Sequence, residues 1–182
     1  MTDVRLDAIV DLLRRGASER DGEEVTVLDH GLQCASLLRE RVPLDPELHI
    51  AGLVHDLGSI IAPGRPATHS AVGADAVRGL LGDRIASLVA MHDMAKRYLV
   101  TVDPTYRDAL SPRSRETFEE QGGWLSDAER TAFEQRPQFD EVIALRRADD
   151  AAKVPDRDSG TLDEWIPVLA RTAEIRDERP AP

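Results

Sequence analysis

The chain has 182 residues, of which 23 are Lys or Arg and 34 are Asp or Glu, giving a net charge of −11. That length favours one domain with a real core, and an apolar content of 41% argues against disorder. The acidic balance argues against a nucleic-acid surface, which needs clustered positive charge. No apolar run reaches the ~18 residues of a membrane span.

The opening "MTDVRLDAIVDLLRRG" alternates charged and apolar residues and has no signal-peptide core, so a cytoplasmic location is expected. Cys34 is the single cysteine, which leaves no internal disulfide and no thiolate metal cluster.

The apolar periodicity is helical along most of the chain. A first helix is predicted over 3–15, stopped by Gly16. "EEVTVLDHGLQCASLLRE" (23–40) carries a Val25, Leu28, Leu32, Leu37 stripe. Asp45-Pro46 opens the next helix, since Asp caps and Pro suits the first turn; it runs to about Asp56 and ends near Gly58. "SIIAPGRPAT" reads as a loop. A helix restarts near His69 and runs through "SAVGADAVRGLLG", and another covers about 83–99. Ser111-Pro112 starts a helix that Gly122-Gly123 ends. Ser126 caps "DAERTAFEQ", and 138–153 form a long helix. Thr161 caps "LDEWIPVLARTAEI", which Pro167 is expected to kink or divide. There is no strand pattern, repeat or low-complexity tract. The predicted fold is an all-α, single-domain helical bundle over 1–182, with its core at about 20–170 and a flexible tail at 176–182.

"HIAGLVHDLGSI" (49–60) places His55-Asp56 at the end of an apolar run. Burying such a pair is costly unless something pairs with it, and a metal ion is one such partner. His30, His55, Asp56, His69, His92 and Asp149 each lie on a predicted helix or at its end, the arrangement by which bundles build metal sites. All six offer nitrogen or oxygen, which suits iron, manganese, zinc or cobalt. Taken singly, each is more often a hydrogen-bonded core or surface residue. His49 is read that way: six residues before His55, it lies about 240° around the helix. Cys34, four residues after His30, is read as buried packing.

The order H, HD, H, H, then a distal D after Ala148 resembles the HD-domain superfamily. "EEVTVLDHGLQCA" (23–35), "HDMAKRYLVTVDPTYRDALSP" (92–112), "QGG" (121–123) and "LRRADDAAKVP" (145–155) resemble the HD-domain mixed-valence diiron oxygenases of phosphonate catabolism, over about residues 20–170. The resemblance implies an HD-domain fold and an iron-dependent oxygenase. Its expected reaction cleaves the C–P bond of a 1-hydroxyalkylphosphonate, such as the 2-amino-1-hydroxyethyl compound, to phosphate and a carboxylic acid. It also implies two iron ions, Fe(II)/Fe(III), with O2 as co-substrate. By the family pattern His30, His55, Asp56 and Asp149 hold one iron, and His69 and His92 hold the other with Asp56 bridging. The expected partner is a small organophosphonate, with no nucleic acid, membrane or obligate protein partner.

Lys96, at i+4 from His92, shares its side of the helix and is expected to bind the phosphonate. Ser114, Thr117 and Gln121 line one stripe, which suits either a phosphonate wall or a solvated face. Glu23 matches an acidic family position that recognises a substrate amino group; an acid at a helix start is also ordinary dipole complementarity. Three features depart from the family. Arg20 stands where it has a tyrosine, and Ser59 where it often has histidine. The 57–68 connection is short and contains Arg65. These leave the substrate's tail open. The rival reading is an HD phosphohydrolase acting on a nucleotide or other phosphate ester through a metal-bound hydroxide; "QGG" and "RYLVTVDP" argue against it. A catalytically silent HD domain has no use for six ligands.

Overall fold

The computed structural model describes residues 4–103 and 105–178, with side chains as far as residue 175. Ten α-helical segments and no strand occur among them: α1 (Val4–Arg15), α2 (Val27–Arg41), α3 (Pro46–Val54), α4 (Leu57–Ile61), α5 (His69–Val102), α6 (Tyr106–Ala109), α7 (Pro112–Glu120), α8 (Asp127–Glu134), α9 (Phe139–Ala151) and α10 (Leu162–Glu178). A 3₁₀ turn, Gly16–Ser18, follows α1.

The capping signals act where the sequence places them. The Asp45 side chain accepts from Leu48 N with Pro46 in the first turn. Ser111 accepts from Ser114 N, and Ser126 forms a reciprocal capping box with Glu129. Gly82 has φ +84° inside α5, a left-handed conformation that suits glycine. It separates the two helices predicted on either side of it.

Four expectations are corrected. Residues 23–26 precede α2 rather than open it, because Thr26 is the N-cap, accepting from Asp29 N. Leu57–Ile61 is a short helix, so Ser59–Ile61 are helical rather than the start of a loop; Leu57 and Ile60 are buried, and that burial favours an ordered turn. Of the kink or division expected at Pro167, the division does not occur, since Pro167 lies inside the continuous α10. The last helix also continues through residue 178, into the stretch read as tail, while 179–182 lie outside the described residues.

One core joins α1–α5 with α9 and α10, built on Leu38, Ile50, Leu88, Leu145, Trp165 and Leu169. A second, smaller cluster of Leu99, Val100, Tyr106, Leu110 and Phe118 ties α6 and α7 to the end of α5. Two close approaches fix the geometry around the HD pair. A Cβ on Gly31 would lie 2.6 Å from the Leu53 carbonyl oxygen, and one on Gly58 only 1.8 Å from that of His69. Only glycine therefore lets α2 meet α3, and α4 meet α5, at these distances.

Gly58→Ala should accordingly destabilise the protein by at least the ~1–3 kcal/mol typical of overpacking. Gly79→Ala, with nothing within 4 Å of its Cβ, should be neutral or gain roughly 0.5–1 kcal/mol. Denaturant unfolding of the two variants measures both effects. Equal stability of Gly58→Ala and wild type would contradict the α4–α5 contact.

Candidate metal and anion site

His30 comes from α2, His55 and Asp56 from the α3–α4 corner, His69 and His92 from α5, and Asp149 from α9. The four imidazoles are buried and share one arrangement. Each Nδ1 is hydrogen-bonded to a backbone carbonyl: His30 to Ala152 at 2.8 Å, His55 to Gly52 at 2.8 Å, His69 to Pro66 at 2.8 Å and His92 to Val89 at 2.7 Å. With Nδ1–H donating, each Nε2 presents its lone pair to the centre.

The Nε2 atoms meet in pairs. His30 and His55 are 3.2 Å apart, and His69 and His92 are 3.0 Å apart. Two bare lone pairs at that separation repel unless a proton or cation lies between them. Asp56 lies between the pairs. Its Oδ2 is 3.5 Å from Nε2 of both His30 and His55. Its Oδ1 is 3.3 Å from His69 Nε2 and 3.6 Å from His92 Nε2. Asp149 Oδ1 lies 3.2 Å from His30 Nε2 and 3.9 Å from His55 Nε2. His30, His55 and Asp56 form one group able to hold a metal ion, and Asp56, His69 and His92 form another. The donors are imidazole nitrogens and carboxylate oxygens, which fit a first-row transition ion.

The electrostatics agree with a cation site. Burial opposes a charged His55, but Asp56 and Asp149 override it and raise its pKa to about 9. Burial likewise opposes a charged His69, and Asp56 and Asp93 raise it to about 10. Burial and the neighbouring imidazoles lower His92 to about 4, against the pull of Asp93. Without metal, His55 and His69 thus hold protons where cations would otherwise sit. Burial works against the Asp149 carboxylate, but Arg146 holds its pKa well below the usual range.

A cavity of about 60 Å³ opens beside these groups. Lys96 Nζ donates to Thr117 Oγ1 at 2.9 Å and to the Ser114 carbonyl at 3.4 Å. Ser114, Thr117 and Gln121 all face the cavity, so their stripe is not a solvated one. Gln121 Nε2 donates to the Pro66 carbonyl at 3.4 Å, and its buried Oε1 has no hydrogen-bond partner among the described residues. Glu23 also lines the cavity, but its Oε1 accepts from Lys153 Nζ at 2.8 Å and from Ser111 Oγ at 2.7 Å. Arg20 is exposed at the rim and donates to the Glu24 carbonyl rather than to the Glu23 side chain. Ser59 Oγ donates to the Asp56 carbonyl at 2.8 Å. Two residues read as outside the site stay outside it. His49 bonds the Val42 carbonyl at 2.8 Å and meets Trp165 edge-on, and Cys34 is fully buried, its thiol pKa raised by burial.

No family model matches the chain. Over 170 residues it is 31% identical to the hydroxymethylphosphonate dioxygenase of Gimesia maris, covering 88% of this chain and 84% of that protein. The chain belongs to the HD-domain phosphonate oxygenase family. It is 29% identical over 169 residues to the 1-hydroxy-2-(trimethylamino)ethyl phosphonate dioxygenase (glycine-betaine-forming) of Leisingera caerulea, covering 88% and 86% of the two chains. An uncharacterized protein of Acanthamoeba polyphaga mimivirus is 31% identical over 172 residues, with 88% and 78% covered.

Sequence reasoning about this oxygenase passed over three residues. Arg146 is buried and donates to Asp149 Oδ2 at 2.5 Å, to Asp150 and to the Tyr106 hydroxyl at 3.0 Å. It thereby turns Asp149 Oδ1 toward His30. Lys153 donates to Ser114 Oγ at 2.9 Å as well as to Glu23. The available signal was helical spacing, since Arg146 is at i−3 and Lys153 at i+4 from Asp149. Asp93, beside His92 and lining the cavity, is the third.

Because Asp56 belongs to both groups able to hold an ion, Asp56→Ala should impair metal binding at both, whereas His69→Ala should impair mainly the one next to His92. Metal content after anaerobic reconstitution checks this. Two tightly held ions per chain in Asp56→Ala would show that Asp56 does not join the positions.

Proposed function

We propose that the protein is a diiron oxygenase that cleaves the C–P bond of a small 1-hydroxyalkylphosphonate. One O2 would be consumed for each phosphate and carboxylic acid formed. The observation that carries this reading, beyond family membership, is Lys96. It is 2% exposed, its two hydrogen bonds end on neutral oxygens, and no carboxylate lies within ion-pair reach among the described residues. A buried ammonium in that state calls for an anionic ligand.

His30, His55, Asp56 and Asp149 would hold one iron, and His69, His92 and Asp56 the other. Iron there would supply the redox chemistry with O2 and the positive charge that draws a hydroxyphosphonate. The chain's own groups do the rest. Lys96 would neutralise a phosphonate oxygen, and Thr117 and Ser114 would offer hydroxyl hydrogen bonds beside it. Arg146 keeps Asp149 ionised and oriented. The carbonyls of Ala152, Gly52, Pro66 and Val89 hold each imidazole in the tautomer that presents Nε2.

The cavity of about 60 Å³ favours a short substrate over a nucleotide, since pockets for drug-sized ligands run to ~300–1,000 Å³. This weighs against the phosphohydrolase reading. The Gimesia relative is named for hydroxymethylphosphonate and the Leisingera relative for a trimethylamino substrate. Here the Glu23 carboxylate is already engaged by Lys153, which favours a short uncharged tail over an amine.

The test is oxygen-dependent phosphate release by iron-loaded protein from 1-hydroxyphosphonates with unsubstituted, amino, trimethylammonio and carboxyl tails. Hydroxymethylphosphonate is expected to be turned over at least as well as the amino compound. No phosphate from any of the four, by protein holding two irons, would overturn the C–P cleavage reading.

Lys96→Ala should weaken phosphonate binding by roughly 2–5 kcal/mol with iron content unchanged. Burial, helped by Arg146, lowers the Lys96 pKa to about 8. Its charge is therefore present below about pH 8 and lost above it. Phosphonate affinity should fall as pH rises past 8 in wild type, with a smaller fall in Lys96→Ala, measured by calorimetric titration.

A further inference from the structure

Tyr106 and Asp150 stand outside the ligand set, yet both hold the group that holds Asp149. Arg146 is buried, and its guanidinium is divided among three acceptors. Nη1 donates to Asp149 Oδ2 at 2.5 Å, Nε to the Tyr106 hydroxyl at 3.0 Å, and Nη2 to Asp150 Oδ1. Tyr106 completes the circuit by donating to Asp150 Oδ2 at 2.5 Å. The tyrosine is itself fixed. It is buried in the apolar cluster with Phe118 of α7, and the Arg147 guanidinium lies over its ring, 5.1 Å from the centroid.

Arginine and carboxylate frequently meet as two forks, with one hydrogen bond to each oxygen. Arg146 instead meets Asp149 through Nη1 and Oδ2, because its other nitrogens are engaged by Tyr106 and Asp150. The oxygen left over is Oδ1, 3.2 Å from His30 Nε2. If the guanidinium turned to grip both oxygens, Oδ1 would carry a cationic donor where the site needs an open lone pair. Resting on the metal reading above, we propose that Tyr106 and Asp150 are positioning residues that act through Arg146. They keep it from closing on both oxygens of Asp149, and so reserve Oδ1 for the ion held with His30, His55 and Asp56.

The test is equilibrium binding of Mn²⁺ and, anaerobically, Fe²⁺ to the full-length protein and to Tyr106→Phe, Asp150→Asn, Arg146→Lys and Arg146→Lys/Asp150→Asn. His30→Ala and His69→Ala mark which binding step belongs to which group, and thermal melts of the metal-free forms check folding. Tyr106→Phe and Asp150→Asn should each weaken the ion at the His30 group by about 10–100-fold, the usual cost of losing a supporting group at a metal site. The ion beside His92 should keep its affinity. Asp150→Asn is nearly isosteric, so it serves if Tyr106→Phe fails to fold. The double variant separates positioning from general loosening. A lysine ammonium has no fork with which to grip two oxygens, so Arg146→Lys/Asp150→Asn should bind no more weakly than Arg146→Lys. Losses that add in the double variant, or wild-type affinities in Asp150→Asn, would overturn the proposal and leave the metal reading intact. Binding of no ion by wild type would overturn the metal reading and this proposal with it.

Discussion

Four imidazole lone pairs turned toward one carboxylate inside an apolar bundle form the constraint that the rest of the structure answers. Nε2 atoms 3.0 and 3.2 Å apart cannot remain bare. Without metal, protons on His55 and His69 relieve the repulsion; metal would relieve it more fully and draw in both oxygens of Asp56. The arrangement is held from behind, because every Nδ1 is tied to a main-chain carbonyl of its own helix or of a neighbouring segment. Ring orientation is therefore a property of the backbone, and the site costs little reorganisation when a cation arrives.

The bundle is arranged to keep that backbone in place. Gly31 lets α2 sit against α3, which sets His30 against His55. Gly58 lets α4 sit against α5, which sets Asp56 against His69. On the far side of the cavity, α7 is anchored by Phe118 and Tyr106 in a separate apolar cluster. This brings Thr117 and Ser114 to Lys96 without drawing α7 into the main core. The charges are layered in the same way. Arg146 is consumed by Asp149 and Asp150, and Lys153 by Glu23. Lys96 is left as the buried cation with no carboxylate partner among the described residues, and it lies in the wall of the cavity.

Much of this was legible in the sequence, for specific reasons. Helical periodicity, Asp45-Pro46, Ser111-Pro112, Ser126 and Gly82 are local signals, and the helices begin and break where those residues demand. The HD pair and its flanking histidines were legible because ligand types are few and their order is restrictive. The Ser114, Thr117, Gln121 stripe could be placed on one face, but only α7's packing decided that the face looked inward. What was not legible depended on partners distant in sequence. Glu23 reads as a free acid until Lys153, 130 residues later, is brought to it. Arg146 and Asp93 carried no signal of their burial in the sequence, because helical position alone does not reveal it. Ser59–Ile61 read as loop because a five-residue helix carries too little periodicity to register.

The central claim is that Asp56 joins two cation positions, one on each of its oxygens. Anomalous diffraction at the iron edge from crystals loaded with Fe²⁺ under anaerobic conditions tests it most directly. The account predicts two peaks about 3.5–4 Å apart, one within the His30, His55, Asp56 and Asp149 group and one beside His69 and His92. A single peak, or two peaks of which only one contacts Asp56, would contradict it.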